Sequence, residues 1–255
     1  GRELERPLYK LWGGYTNRLP CIAIGGYYGQ THDELAAEVD GYAGYGVIGM
    51  KFKIGGLTPE EDFERLKVAV EVGGPGFRLM VDANQGYDLS QAIRFVRLAQ
   101  EAGIALEWFE EPVRWYNDRR WLRDVRLATG IPVTAGQSEY RWDGARDLVM
   151  SGAIDYCNYD SSWGGGPTAW RRVAAMCDLF GVKMAHHEEA QIASHLLASV
   201  HHGSYAEIFH PNRDPIFWHI QREARPIRDG YFTLSDAPGF GIELDRDYIA
   251  RYRVE

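Results

Sequence analysis

The stretch Val47-Ile48-Gly49-Met50-Lys51-Phe52-Lys53-Ile54 decides how this chain folds and where its chemistry lies. It reads as a strand, and strand side chains alternate between two faces. Ile48, Met50, Phe52 and Ile54 share one face and suit packing against helices. Val47, Gly49, Lys51 and Lys53 share the other. If the sheet closes into a barrel, that second face points inward and two ammonium groups enter the barrel mouth side by side. Desolvation and like-charge proximity would then lower a lysine pKa toward the range of a working base. Spacing alone leaves the alternative open, that both lysines reach out to water at the strand end.

Similar short apolar runs recur on both sides of this stretch. They are 21–25 (CIAIG), 78–82 (RLMVD), 106–110 (LEWFE), 132–135 (PVTA), 154–158 (IDYCN), 182–185 (VKMA) and 205–209 (YAEIF). Amphipathic stretches at 31–44, 58–72, 88–102, 117–128, 141–151, 167–180 and 189–200 separate them and predict helices. Helix-start chemistry opens several, as in Thr58-Pro59-Glu60-Glu61, Asp88-Leu89-Ser90 and Gly166-Pro167-Thr168. Gly103, Gly130, Gly152 and Gly181 stand where helix-ending glycines belong. Eight strands alternating with seven helices imply parallel crossovers, hence an α/β fold. No Gly-x-Gly-x-x-Gly turn follows the first strand, which argues against an open dinucleotide-binding sheet. Polar residues end many strands rather than two neighbouring ones, which favours a barrel.

At 255 residues the chain is long enough for one barrel and needs no disulfide or metal to fold. Its three cysteines (Cys21, Cys157, Cys177) form no framework, and a cytoplasmic location is expected. No apolar run nears the ~18 residues of a membrane span and no signal-peptide pattern opens the chain, so no membrane partner is expected. With 28 Lys+Arg against 36 Asp+Glu, the net charge is −8, and without a basic stripe no nucleic acid is expected either.

Carboxylates stand at successive strand ends: Asp82 in VDANQ, Glu110 in WFEEP, then Gln137 and Glu139 in AGQSE. Crowded carboxylates repel unless a cation lies among them, and oxygen donors without Cys or an obvious His set favour Mg2+ over zinc. Further round, Asp160 follows strand six and His186-His187 follow strand seven, so a carboxylate can orient an imidazole. Glu207 ends strand eight and completes the ring. His195, His201 and His202 read as surface or packing residues. Gly164-Gly165-Gly166 reads as a tight turn rather than an anion cradle, although a helix N-terminus follows it.

Taken in order, MKFKIGG, MVDANQ, WFEEP, AGQSE, NYDSSWGGG and MAHHEEAQIASHLLA resemble the enolase superfamily, within it the mandelate racemase subgroup. The tail IRDGYFTLSDAPGFGIELD resembles that family's C-terminal return segment. The resemblance covers nearly the whole chain and implies a modified TIM barrel, (β/α)7β, over 21–209. Residues 1–20 and 210–255 would be remnants of an α+β capping domain, PLYKLWGG (7–14) looking like its end. Carried over by position, Lys53 is the base on one face with Lys51 beside it, and Asp160–His187 is the acid/base dyad on the other. Asp82 and Glu110 become Mg2+ ligands, Lys51, Asn84 and Glu207 become substrate-binding residues, and Glu207 matches the position that hydrogen-bonds the substrate carboxylate. The family's third ligand position holds Gln137, so either its amide oxygen or Glu139 completes the set; Glu139 is preferred because a carboxylate better neutralises a divalent cation.

The activity these residues imply is abstraction of the proton α to a carboxylate through an enediolate. Dehydration of an acid sugar is the expected outcome, and racemisation or epimerisation of a 2-hydroxy acid is the runner-up. A catalytically silent barrel serving as a binding or scaffold protein is the alternative of another class. The expected partners are a small-molecule carboxylate and further copies of the chain in a homo-oligomer.

Overall fold

A parallel strand pair needs a crossover of a dozen or more residues, and each amphipathic stretch supplies one. The computed structural model describes residues 1–114, 116, 119–223 and 227–253. A short helix α1 (Leu8–Trp12) precedes the first strand, β1 (Arg18–Gly25), and its helix α2 (His32–Tyr45). The repeat continues through β2 (Gly49–Lys53), α3 (Pro59–Gly73), β3 (Arg78–Asp82), α4 (Leu89–Glu101), β4 (Phe109–Glu110) and α5 (Arg120–Thr129). It is completed by β5 (Val133–Ala135), α6 (Trp142–Met150), β6 (Tyr156–Cys157), α7 (Gly166–Leu179), β7 (Lys183–Met184), α8 (Ala190–Leu197) and β8 (Ala206–Ile208). The predicted helix at 117–128 begins on two residues, 117 and 118, that lie outside the described ones.

Strands β1 to β7 pair in sequence order, all parallel, and β8 pairs with the free side of β1. A lone parallel bridge, Met184↔Gly203, closes the ring between β7 and the residues before β8. The fold is therefore a modified (β/α)7β barrel. Local chemistry explains its helix starts: Thr31 with Glu34, Thr58 with Glu61 and Asp88 with Gln91 each form a reciprocal capping box. Helix α7 differs, because Gly165 caps it with no side-chain hydrogen bond. The four helix-ending glycines all take left-handed backbone, φ 65–70°.

Register fixes what faces inward. Lys51 pairs with Met80, Lys53 with Asp82, Asp82 with Glu110, Glu110 with Thr134, and Ile22 with Glu207. Below the charged residues, Ile22, Met80, Trp108, Tyr156 and Tyr205 fill the barrel interior. Met50, Phe52 and Ile54 join the outer core, as alternation requires. Ile48 is an exception: it packs against the inner cluster at the lower mouth, where Gly230 rather than a helix covers it.

The tail contains both strands and helices. A β-hairpin, β9 (Ile227–Arg228) with β10 (Tyr231–Thr233), pairs antiparallel to Arg18–Pro20. Two short helices, α9 (Pro215–His219) and α10 (Arg246–Arg251), are capped by Asp214 and Asp245. At five and six residues they carry no periodicity to read. The N-terminal segment meets the tail around buried His195: Tyr9 N–H donates to its Nδ1, and its Nε2 lies 3.0 Å from the Phe240 carbonyl. The three cysteines are free and buried. Among the described residues no helix is long and apolar enough to cross a membrane.

One buried ion pair, which sequence reading missed, positions the rim. Arg65 and Asp62, both on α3, meet at 2.9 Å. Arg65 also donates to the carbonyls of Lys53, Gly26 and Tyr27, while Asp62 accepts from Gly55 N–H and the Tyr87 hydroxyl. The pair thus ties the loops after β1 and β2 to α3. Replacing Arg65 with Met leaves Asp62 buried without its countercharge, and should cost about 3–5 kcal/mol of stability in urea unfolding.

Candidate active site

The mouth of the barrel is built from charges that would each be costly alone. Lys51 is fully buried, and its Nζ lies 2.9 Å from Glu110 Oε1 and 2.8 Å from Glu207 Oε1. Lys53 Nζ lies 2.5 Å from Asp82 Oδ2 and 2.9 Å from Asn84 Oδ1. The expectation of lowered lysine pKa values fails in this arrangement. Burial does lower both, but Glu110, Glu207 and Asp82 outweigh it at Lys51 and hold it well above its ordinary value. Burial likewise acts on Lys53, and Asp82 overcomes both it and the neighbouring Lys51 charge, so its pKa is also raised. The lysines therefore do not reach out to water; they are the cations of a buried network.

The carboxylates respond in opposite ways. Burial would raise Asp82, but Lys53 and Lys51 hold it below its usual value. At Glu110 burial wins over Lys51, with help from Asp82 and Glu207, and its pKa stands well above the usual range. Glu110 Oε1 accepts from Lys51 and from Asn158 Nδ2, whereas its Oε2 is buried with no hydrogen-bond partner among the described residues. An orphaned carboxylate oxygen beside Asp82, in a donor set of oxygens, fits a hard divalent cation.

Gln137, and not Glu139, is the third donor brought to this place. Gln137 N–H donates to Asn158 Oδ1, and Asn158 Nδ2 donates to Gln137 Oε1 at 3.3 Å while also holding Glu110. Glu139 turns away: its Oε1 lies 2.8 Å from Arg119. Glu139 would share a side with Gln137 only if the strand continued, but β5 ends at Ala135 and Glu139 N–H closes a turn onto the Gly136 carbonyl. Two residues of offset no longer mean the same side.

Across the ring from β2, Asp160 and His187 form the expected pair, His187 Nδ1 lying 3.0 Å from Asp160 Oδ2. Burial opposes ionisation of Asp160, but hydrogen bonds from His187 and Ser162 bring its pKa down to about 2. An ionised carboxylate only accepts, so Nδ1 carries a proton and Nε2 faces the site. The indole of Trp163 lies against the imidazole, with centroids 5.2 Å apart. The histidine doublet divides its roles: His186 is buried, bonds Ser161 and the His187 carbonyl, and burial lowers its pKa. The glycine run is a packing feature, since a Cβ at Gly164 would meet the Tyr159 ring.

Three site residues escaped sequence reading. Glu111, buried beside Gln85 and Ser138, has its pKa raised to about 7 by burial and by Asp82. Glu188 Oε1 lies 3.3 Å from His187 Nε2, and its N–H donates to Glu207 Oε2. Asn158 is the hinge between Glu110 and Gln137. The second acid in WFEEP and the two after His187 were legible only as repeats of a stronger signal. Asn84, Gln85, Glu111, Glu188 and Glu189 all take positive φ (37–66°), so the rim stores backbone strain where the polar groups converge.

Residues 34–248 match the family model described as enolase C-terminal domain-like, and the chain belongs to that family. Within the enolase superfamily it stands with the mandelate racemase/muconate lactonizing enzymes. A solved enzyme of that kind from a marine actinobacterium, in complex with magnesium, is 50% identical, with a TM-score of 0.95 over all of this chain and 71% of its own. L-talarate dehydratase from Polaromonas sp. JS666, complexed with Mg and L-glucarate, is 27% identical, with a TM-score of 0.89 over 98% of this chain and 68% of its own. Arabinonate dehydratase of Saccharolobus solfataricus is 29% identical over all of this chain and 69% of its own length.

The geometry separates the two candidate third ligands. Gln137→Ala should weaken divalent-cation binding by on the order of 10-fold or more, the scale on which even outer ligand partners act. Glu139→Gln should leave affinity unchanged in the same calorimetric titration.

Proposed function

We propose that this chain is the catalytic barrel of a Mg2+-dependent acid-sugar dehydratase. The observation that carries the reading is the Asp160–His187 pair standing across the barrel mouth from Lys53 and Asp82. Asp82, Glu110 and Gln137 would hold Mg2+, which when bound supplies positive charge to the substrate carboxylate and makes its α-proton more acidic. Magnesium in solved relatives, L-glucarate in one of them, and the dehydratases among the curated relatives support this assignment.

On one side of the substrate, Lys53 removes the α-proton. Once Asp82 is committed to a cation, Lys53 loses its strongest anionic partner, leaving burial and the Lys51 charge, both of which favour its neutral form. The C–H electron pair moves into the carboxylate as an enediolate, and Lys51 adds positive charge beside it. On the other side His187, with Asp160 fixing its tautomer, gives a proton to the departing β-hydroxyl. The C–O bond breaks, water leaves, and the enol becomes a 2-keto-3-deoxy acid. The closeness of Glu188 to His187 Nε2 suits this acid role, because two adjoining acceptor atoms at 3.3 Å need a proton between them. Glu207 accepts from Lys51 and from Glu188 N–H, so a hydrogen bond from it to the substrate carboxylate requires that it first take up a proton.

The same two-sided arrangement serves a racemase or epimerase, and a racemase from Streptomyces coelicolor solved with bound magnesium is 29% identical with a TM-score of 0.90. Incubating the full-length protein with Mg2+ and a panel of acid sugars in deuterated water distinguishes them. Dehydration should give a 2-keto acid; an epimer carrying solvent deuterium and no keto acid would favour the second reading. Lys53→Ala should abolish α-proton exchange. His187→Asn should cut turnover by roughly 100-fold or more while retaining some exchange. Full turnover in both variants would require a different acid/base pair.

A further inference from the structure

His201 and His202 read from sequence as surface or packing residues, yet they meet Asp178 at the opposite end of the barrel from Lys53 and Asp82. Asp178 lies in the last turn of α7, and the histidines lie in the connection between α8 and β8. Asp178 Oδ1 is 3.3 Å from His201 Nε2 and 4.0 Å from His202 Nδ1, and one ligand atom from each residue lies within 4.8 Å of the others. A tetrahedral ion with bonds of ~2.0–2.1 Å separates its ligand atoms by roughly 3.4 Å. One contact already has that length and the other needs a small side-chain shift.

The orientation of His202 supplies an independent observation. Its Nε2 lies 3.0 Å from the Ala174 carbonyl, which can only accept, so Nε2 carries the proton and Nδ1 presents a bare lone pair toward Asp178. That Nδ1 is buried and has no hydrogen-bond partner among the described residues. A ring held through its far nitrogen by a backbone carbonyl is how metal-ligating histidines are oriented. Burial also lowers the pKa of His202, favouring the neutral form a metal requires. Trp12, Tyr15 and Arg171 line the same cleft, so it is open to solvent ions on one side.

We propose that Asp178, His201 and His202 form a second metal site, selective for a borderline divalent ion such as Zn2+ or Co2+, with a remaining position open to water. Two imidazoles and one carboxylate suit such an ion, in contrast to the oxygen donors of the active site. Its place suggests its effect. The barrel closes between β7 and β8 through the Met184↔Gly203 bridge, flanked by Met184 N–H to the His202 carbonyl and Ser204 N–H to the Met184 carbonyl. An ion joining α7 to residues 201–202 staples that seam and stabilises the folded state by mass action.

The test is a Co2+ titration of the full-length protein kept saturated with Mg2+, followed by calorimetry, visible d–d absorbance and thermal unfolding. The expected result is one Co2+ per chain, a tetrahedral spectrum and a Tm that rises with Co2+ concentration. His201→Ala and Asp178→Asn, both at exposed positions outside the acid/base machinery, should keep wild-type turnover and lose roughly tenfold or more in Co2+ affinity. Undiminished affinity or an unchanged spectrum in either variant, or no Co2+ bound by the wild type, would overturn the site.

Discussion

Burial of Lys51 between Glu110 and Glu207 is the constraint on which the rest of this barrel depends. Three ionisable side chains stand almost without solvent, and burying an ion is tolerated only when it is paired and hydrogen-bonded. The pairing also skips neighbours: Lys51 on β2 reaches β4 past β3, and β8 past β1. It therefore couples strands that share no ladder, directly above an apolar floor of Ile22, Met80, Trp108, Tyr156 and Tyr205. Chemistry and closure use the same atoms. The low-dielectric floor that makes an unpaired charge costly also strengthens every interaction the site directs at a developing negative charge.

Around this network, the rim accepts strain that the scaffold offsets. Strand-end residues in left-handed backbone each cost about 1–3 kcal/mol, and they cluster after β3, β4 and β7. Rigid elements hold the neighbouring parts of the rim: Arg65 and Asp62 grip the loops after β1 and β2, and Asn158 locks Gln137 to Glu110. The polar groups that converge on a substrate are thus positioned by strand ends and buried hydrogen bonds rather than by their own loops.

The barrel was legible because its signals are local. Alternation in 47–54, capping boxes at Thr58 and Asp88 and glycines after the helices each need only a few residues of context. Asp82, Glu110, Asp160 and His187 could be placed because strand ends are readable and the family motifs occur in order. What was not legible depends on where a strand stops or on partners distant in sequence. Glu139 was favoured because a carboxylate is the better ligand, but the turn after Ala135 points it to Arg119 and leaves Gln137 beside Asn158 and Glu110. The lysines were expected to be acidified by each other, yet carboxylates contributed by three other strands, Asp82, Glu110 and Glu207, set their charge. Ile48 and the two short tail helices failed for a related reason, since each is defined by what covers or caps it.

The most direct measurement of the central claim is urea unfolding of Lys51→Met beside the Lys51→Met, Glu207→Leu double variant, both without added metal. If buried charge balance holds the barrel mouth together, the single variant loses about 3–5 kcal/mol, and the double variant recovers part of that loss by removing a stranded carboxylate. A Lys51→Met protein as stable as the parent, or a double variant destabilised by the sum of both changes, would contradict the account.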